Sequence, residues 1–316
     1  MRKAAFIKKL RFMPMIALLA GLFIFLCSCD GGIEELGTRP MISDTDREVQ
    51  VVVLLGQSNA EGCSHIEYLS DTVGSEKAAI YNGDGFFGVK IAFYNPGGGN
   101  SSQGEYVNVK TGQGYNETLF GPEVGMAEGI FEANPTKPVY IIKYAYGGTA
   151  LENQWRPSSS GKMGFLYKGA VLYVREQCKK LEDAGLYPYV KAICWMQGES
   201  DAAGSKYAEY EKLEKNFVSD LRKDLKYYAA PDKNIAFIDA GISDSYIWTN
   251  YLSVNAAKKK LADADADHYY IDTIAEGLKY DNEPYGSPDI AHYDSASEIK
   301  LGNLFADVLV KNVLDI

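Results

Sequence analysis

The chain has 316 residues, of which 46% are hydrophobic and 23% are charged, so it can bury a large core. Its net charge is −10, and removal of the first 28 residues, which contain five basic and no acidic side chains, changes that charge to −15. Because an acidic surface repels phosphate groups, nucleic acid and other polyanions are excluded as partners, and the substrate is expected to be neutral or small.

The first 28 residues predict an export signal. A basic segment ending at Arg11 precedes an apolar run, residues 15–26, that is too short to span a bilayer comfortably. Leucine, serine and cysteine at positions 26, 28 and 29 resemble a bacterial lipobox, which implies cleavage before Cys29 and attachment of a lipid to its thiol. The alternatives are a simple secretory signal and an uncleaved anchor. In each case the domain works outside the cytoplasm, and with the lipid it is held at the periplasmic or surface face of a bacterial membrane.

Three cysteines remain beyond the signal, at Cys63, Cys178 and Cys194. They cannot all pair with one another, so at least one is free, and the sequence leaves open whether any two of them pair. Their spacing matches no zinc site, and neither a metal nor an organic cofactor is expected.

Residues 29–47, with the pair Gly31-Gly32, several acids and Pro40, predict a tether, and residues 48–316 predict the folded domain. Strands are predicted at 51–55, 89–94, 139–144, 190–196, 235–240 and 269–274, and helices at 122–133, 165–184, 207–228, 253–264 and 295–313. Apolar runs without a polar break are typical of parallel strands buried on both faces. This alternation predicts one three-layer α/β/α sandwich with a mainly parallel, flavodoxin-like sheet. Long Gly-, Asn-, Ser- and Tyr-rich loops between residues 83 and 121 are expected to form a wall of the binding cleft.

The first strand organises the chain, because it stops at Gly56 and runs directly into Gln57, Ser58 and Asn59. Open α/β sheets bind their ligands at the carboxyl ends of the strands, where Ser58 can serve as a nucleophile and nearby N–H groups can stabilise an oxyanion. The alternative is an ordinary turn in which serine or asparagine caps a helix.

Two further predicted strands end in residues that can take part in binding or catalysis. One is followed by Gly147 and Gly148, which let the backbone approach a ligand and present N–H groups, or which simply form a tight turn with positive φ. Another runs into Gln197, Glu199 and Asp201, and polar side chains at the end of an apolar strand are costly unless they are used. Asp201 is expected to cap the following long helix, which leaves Gln197 and Glu199 unexplained.

Serine needs a base, and histidine is the usual one near neutral pH. Of the three histidines, His65 follows Ser58 closely and is expected to point elsewhere, and His268 precedes a strand at the opposite end of the sheet. His292 lies just before the last helix, with Asp289 three residues earlier. This spacing lets the carboxylate bind Nδ1–H of the imidazole and leaves Nε2 free for the serine.

Four motifs in this order, Gly-Gln-Ser-Asn, Gly-Gly-Thr, Trp-Met-Gln-Gly-Glu-Ser-Asp and Asp-x-x-His, resemble the four blocks of the SGNH/GDSL hydrolase superfamily. More narrowly, they are similar to its carbohydrate acetylesterase branch, which includes sialate O-acetylesterases and acetylxylan esterases. The resemblance covers residues 48–312 and implies that Ser58 is the nucleophile, His292 the base and Asp289 its orienting acid. The Gly-x-Ser-x-Gly motif of the other large α/β class of hydrolases is not found in the chain.

The resemblance also implies an oxyanion hole formed by the N–H groups of Ser58 and Gly148. Gln197 stands where the superfamily usually has an asparagine, and its side-chain amide is the expected third donor. Glu199 is left open between orienting Gln197, orienting the serine turn and touching substrate. The neighbours of the serine, Gln57 and Asn59, are expected to support the site or bind substrate.

The sequence therefore predicts a secreted or lipid-anchored serine esterase that removes acetyl groups from sugars through an acetyl-enzyme. A glycan-binding surface lipoprotein that kept the fold and lost turnover is the alternative from another class. A lipase or thioesterase would need a broad apolar cleft, which the polar loops between residues 83 and 121 disfavour. Sialic acid, xylan and other acetylated glycans remain open as substrates.

Overall fold

The structure, a computed structural model, describes residues 32–39, 44–83 and 85–316. The predicted signal and Cys29 lie outside the described residues. Every strand and helix given below belongs to the unit Ile33–Ile316.

A seven-stranded sheet forms the centre of the domain. The strands of this sheet and of a separate two-stranded pair are, in chain order, β1 (Glu48–Gly56), β2 (Ser64–His65), β3 (Val89–Tyr94), β4 (Val107–Asn108), β5 (Leu119–Phe120), β6 (Val139–Ala145), β7 (Tyr187–Met196), β8 (Ala236–Ala240) and β9 (His268–Ile271). The order in the large sheet is β4-β3-β6-β1-β7-β8-β9, and every neighbouring pair is parallel except β3 with β4. Strands β2 and β5 form a separate antiparallel pair. All six predicted strands are present, and the last one ends three residues earlier than expected, at Ile271.

The core of the sheet has the predicted flavodoxin-like order. Without β3 and β4, which extend one edge, the parallel strands run β6-β1-β7-β8-β9, which is 2-1-3-4-5 in chain order. The direction of winding therefore reverses at β1, between β6 and β7. In open α/β sheets this point leaves a crevice at the carboxyl ends of the strands, where ligands bind.

Helices cover both faces of the sheet. They are α1 (Ser58–Glu61), α2 (Leu69–Val73), α3 (Ser75–Asn82), α4 (Glu123–Ala133), α5 (Phe165–Asp183), α6 (Glu199–Ala203), α7 (Tyr210–Asp224), α8 (Tyr251–Asp263) and α9 (Ser295–Asn312). The expected single helix over 207–228 is α7 with a short 3₁₀ turn before it and another after it. Within the described part of the chain, no helix combines the length and the hydropathy that crossing a bilayer requires.

The burial of β1 explains why its sequence is so uniformly apolar. Residues 51–55 are at most 1% exposed, because β1 lies between two parallel neighbours and under helices on both faces. Its last residue, Gly56, has φ +148°, and a Cβ there would lie 2.0 Å from the carbonyl oxygen of Met196. Only glycine allows this approach, which brings the end of β1 against the end of β7.

The described part of the predicted tether, residues 32–39, is held on the domain near the amino end of β7. The Arg39 guanidinium donates to Glu182 at 2.7 Å and to the carbonyl oxygen of Pro188 at 2.6 Å. It also lies 3.6 Å from the centre of the Tyr187 ring. These contacts are at the end of the sheet opposite to Ser58.

Candidate active site

The serine turn is fixed by backbone bonds to β7. The N–H of Gln57 donates to the carbonyl oxygen of Met196 at 2.9 Å, and Ser58 then begins the one-turn helix α1. Ser58 is 8% exposed. Its N–H, as the first of a helix, has no acceptor among the described residues, so it is free to donate to a bound ligand.

The predicted pair of Asp289 and His292 forms in the loop before α9. Nδ1 of His292 lies 2.6 Å from Oδ2 of Asp289, as the spacing of three residues predicted. The same loop is bound to the serine turn, because the N–H of Tyr293 donates to Oδ1 of Asn59 at 3.1 Å and its carbonyl oxygen accepts from the Ser64 hydroxyl at 2.6 Å. The residue after His292 is thus hydrogen-bonded to the residue after Ser58.

A thiol that the sequence did not single out also faces the imidazole. Burial lowers the pKa of His292, but the hydrogen bonds with Asp289 and Cys63 outweigh it and raise that pKa to about 10. The hydrogen bond with His292 holds the pKa of Asp289 below its ordinary value. Cys63 comes five residues after Ser58, directly after Gly62, so its nearness to Ser58 in sequence was the available signal. Among the residues that the structure describes, Cys63, Cys178 and Cys194 form no disulfide bond.

The glycine turn after β6 lies against the serine. A Cβ on Gly147 would be 3.2 Å from Cβ of Ser58, and the Gly147 N–H donates to the Glu61 carboxylate at 2.7 Å. Gly148 has φ +68° and is exposed. Within the described residues its N–H has no acceptor, like that of Ser58. The turn therefore supplies both the positive φ of a tight turn and a free N–H group beside Ser58.

Gln197 does not fit the predicted role of an oxyanion donor. It is completely buried, and its Nε2 donates to Asp201 at 2.6 Å and to the carbonyl oxygen of Thr149 at 3.0 Å. Its Oε1 accepts from the Tyr210 hydroxyl at 3.0 Å. An amide nitrogen has two hydrogens, and both are used inside the protein. The spacing in sequence did not show that Asp201, four residues later, takes up this amide.

Asp201 also differs from the prediction. It lies inside α6 and does not cap α7; its carboxylate accepts the N–H groups of Leu151 at 2.8 Å and Glu152 at 3.2 Å. Gln197 binds the carbonyl oxygen of Thr149 in the same segment. Together the two side chains hold the chain that follows Gly148, so they shape the site from beneath it.

Glu199 contacts the serine turn. It is completely buried and accepts a hydrogen bond from Nδ2 of Asn59 at 2.8 Å, and the amide of Gln57, in the orientation that suits its neighbours, donates to it at 3.2 Å. Burial raises the pKa of Glu199. Gln57 and Asn59 are each 2% exposed, so both support the turn from inside.

The two other histidines lie beside carboxylates other than Asp289. His268 is buried at the start of β9, 3.6 Å from Asp239, and His65 lies 3.8 Å from Glu67 in the two-stranded ribbon. No group of three or more His, Cys, Asp or Glu side chains in the described ranges is arranged to hold a metal ion.

The loops between residues 83 and 121 reach the site at two points. The N–H of Tyr115 donates to the carbonyl oxygen of Gly62 at 2.9 Å, next to the serine helix. Gly97 lies under the ring of Tyr146 and near Glu61, since a Cβ there would be 2.5 Å from the ring and 3.4 Å from the carboxylate. Glu61 was missed in the sequence, although its place three residues after Ser58, directly behind a buried strand, was an available signal.

A family model described as a carbohydrate esterase, sialic acid-specific acetylesterase, matches residues 48–311, which span the whole sheet and the site. The chain belongs to this family. The resemblance to carbohydrate acetylesterases, predicted from four short motifs, is confirmed. No curated protein sequence matches this member of the carbohydrate esterase family significantly.

Solved structures similar to this carbohydrate esterase share its fold at low identity. A protein from Arabidopsis thaliana has a TM-score of 0.57 at 20% identity, with 83% of this chain and 98% of that chain covered. NanS has a TM-score of 0.55 at 16% identity, with 84% and 97% covered. XAC1771, a carbohydrate acetylesterase from Xanthomonas citri, has a TM-score of 0.53 at 16% identity, with 82% and 55% covered. These likenesses support the α/β/α sandwich.

Proposed function

We propose that this carbohydrate esterase is a serine O-acetylesterase in which Ser58 is the nucleophile, His292 the general base and Asp289 the acid that orients it. The observation that carries the proposal is the 2.6 Å contact between Asp289 and Nδ1 of His292, on a loop bonded to Asn59 beside Ser58. The carboxylate holds the imidazole in the tautomer whose Nε2 accepts a proton. The family supports the hydrolysis of esters on carbohydrates.

The reaction then has two steps. The Ser58 hydroxyl oxygen attacks the carbonyl carbon of the acetyl ester while its proton passes to Nε2 of His292, and the same proton goes to the departing sugar oxygen. A water molecule, deprotonated by His292, attacks the resulting acetyl-serine and releases acetate. No other co-reactant is needed.

The free N–H groups of Ser58 and Gly148 serve as the oxyanion hole in this proposal. Both lack an acceptor among the described residues and belong to turns that touch one another. Each donor contributes about 3 kcal/mol to stabilisation of the transition state in enzymes of this kind. Gln197 has the separate task of holding the Gly148 turn through Thr149.

We propose an acetylated sugar as the substrate because an exposed aromatic pair stands at the rim beside Gly147. Phe165 is 56% exposed, and its ring contacts that of Tyr146 with 6.5 Å between centroids and 76° between planes. Aromatic faces pack against the apolar faces of pyranose rings, and the tyrosine hydroxyl adds a hydrogen bond. Sialic acid, xylan and related glycans are the substrates to compare.

We also propose that the enzyme acts outside the cytoplasm and is held to a bacterial membrane by a lipid on Cys29. The support is the basic segment, the short apolar run and the Leu-x-Ser-Cys sequence at residues 26–29. Mass spectrometry of the membrane-extracted protein tests this, since a Cys29→Ala variant should lack the lipid mass and remain uncleaved. A wild-type protein without lipid would contradict it.

Acetate release tests the function. The full-length protein is incubated with a simple acetyl ester, acetylated xylan and O-acetylated sialic acid, with Ser58→Ala as the matched variant. Release that disappears in Ser58→Ala supports the serine esterase, and the preferred glycan names the substrate. A folded protein that binds these glycans without releasing acetate would instead be the glycan-binding lipoprotein.

A further inference from the structure

Glu61 is an acid buried beside the proposed nucleophile, and no step of the reaction above uses it. It ends helix α1, is 1% exposed and has one carboxylate oxygen, Oε1, without a hydrogen-bond partner among the described residues. Burial raises its pKa, although the backbone N–H groups of Gly147 and Gly98 and the charge of Lys143 act in the opposite direction. A buried carboxyl group that is not fully hydrogen-bonded costs stability, so its presence needs a reason.

Its contact identifies that reason. Oε2 of Glu61 accepts the N–H of Gly147 at 2.7 Å, and the next N–H in the chain is the free one of Gly148. The two N–H groups lie in consecutive peptide planes that meet at the Cα of Gly147, so once the first plane is fixed only φ and ψ of Gly147 set the direction of the second N–H. Gly147 has no side chain that packs, and a Cβ there would be 3.0 Å from Glu61 and 3.2 Å from Ser58. The peptide between Tyr146 and Gly147 is therefore held at its N–H by the Glu61 carboxylate and at its carbonyl oxygen by the Thr149 hydroxyl, which donates to it at 2.6 Å.

The rest of the turn is held from the other side. Gln197 binds the carbonyl oxygen of Thr149, and Asp201 binds the N–H of Leu151. Glu61 comes from the serine helix, whereas Gln197 and Asp201 follow β7. The glycine turn is thus clamped between the two elements that border the crevice.

Resting on the proposed function, we propose that Glu61 is a positioning residue of the oxyanion hole, whose carboxylate fixes the Gly147 peptide so that the Gly148 N–H points at the ester oxygen over Ser58. An ion pair with a lysine explains the buried position of Glu61 less well. The lysine whose charge acts on Glu61, Lys143, is bound instead to Glu123 at 2.8 Å and to the carbonyl oxygen of Gln113 at 2.9 Å.

Two substitutions separate acceptor from charge. Glu61→Gln keeps an oxygen for the Gly147 N–H and removes the charge, whereas Glu61→Met keeps the volume and removes the acceptor. Glu61→Met is expected to lower kcat about 100-fold at nearly unchanged KM, since a donor displaced by about 1 Å loses that much, and Glu61→Gln is expected to restore kcat to within a few-fold. Glu128→Met is the matched control, because Glu128 is a buried acid bound to Tyr81 and Asn303 among α3, α4 and α9. It should lower thermal stability and leave kcat unchanged.

Hydrogen exchange gives a readout that does not need turnover. In full-length protein the Gly147 amide should exchange faster in Glu61→Met than in wild type, and Glu61→Gln should match wild type. Suppose that wild type is active. The positioning role alone is then overturned if Glu61→Met keeps the wild-type kcat, or if the Gly147 amide exchanges at the same rate in both proteins. If wild type itself releases no acetate, the proposed function fails, and the exchange data still decide whether Glu61 holds the turn.

Discussion

Two of the clusters of buried charged side chains in the described part of the domain are built on different principles. In the site, Glu61, Glu199 and Asp201 bind backbone N–H groups or an amide of neighbouring turns. Behind β8, Lys258 is completely buried between Asp239 and Glu214, so acid and base are paired through their side chains. In the first arrangement the carboxylates fix the geometry of loops, and in the second they neutralise a lysine within the core.

This difference predicts different responses to substitution. A carboxylate that holds a turn contributes to the position of reacting groups, so its loss should appear in kcat more than in stability. A lysine between two buried acids leaves two charges unpaired when it is removed, so its loss should appear in stability. Activity and unfolding measured together on the same variants distinguish the two clusters.

The largest expected effect is that of Asp289→Asn. The amide keeps the size of the side chain but no longer selects the tautomer of His292, so kcat should fall about 10⁴-fold with little change in unfolding. Initial rates on an acetyl ester check this. Asp263→Asn on α8, where the carboxylate is exposed and binds Lys259, is the matched control and should keep full activity. An active Asp289→Asn enzyme would remove Asp289 from the site.

In the second cluster, Lys258→Met should lower the free energy of unfolding by about 3–5 kcal/mol, because Asp239 and Glu214 lose their counter-charge. Chemical denaturation measures this, and kcat per folded molecule should stay near that of wild type. Lys259→Met, which breaks an exposed pair on the same helix, should change stability by less than about 1 kcal/mol. A Lys258→Met protein as stable as wild type, whether active or inactive, would contradict the distinction between the clusters.

The sequence was sufficient for the strands, the flavodoxin-like order and the pairing of Asp289 with His292. Uninterrupted apolar runs have few other uses than central parallel strands, and an Asp–His spacing of three residues lets the side chains meet within one turn. The turn of Gly147 and Gly148 was visible as well, because glycine lets a backbone approach its neighbours closely.

The roles of Gln197 and Asp201 were not accessible in the same way. Which hydrogens of an amide are free depends on acceptors brought by other segments, here the carbonyl oxygen of Thr149 after β6, and the amide oxygen is taken by the Tyr210 hydroxyl on α7. Cys63 was missed because the direction of a side chain at the end of a single helical turn is not fixed by sequence periodicity. Such contacts over long separations are set by packing of the whole domain.

Cys63 offers a smaller test within the site. A general base must be neutral, and the pKa of His292, raised to about 10, places the rise of activity at alkaline pH. Asp289 and Cys63 raise this pKa by hydrogen bonding, and the carboxylates of Glu61, Glu199 and Glu298 also interact with the imidazole. Removing one of these contributions in Cys63→Ala should move the acidic limb of the kcat/KM profile to lower pH.

The control for this profile is Cys178→Ala, because the Cys178 thiol is buried in α5 and is not among the groups that shift His292. Its limb should coincide with that of wild type. Coincidence of the Cys63→Ala limb with wild type would show that the thiol does not act on the base.

The smallest expected effect lies at the rim and separates sugar recognition from the chemistry beneath it. Phe165→Ala should raise KM for an acetylated glycan several-fold, since loss of one stacking contact costs about 1 kcal/mol, and should leave kcat/KM for a small acetyl ester unchanged. Phe87→Ala is the matched control, because Phe87 is 86% exposed but precedes β3 at the amino end of the sheet. Equal loss on both substrates would make Phe165 a structural residue, and no loss on either would place the sugar elsewhere.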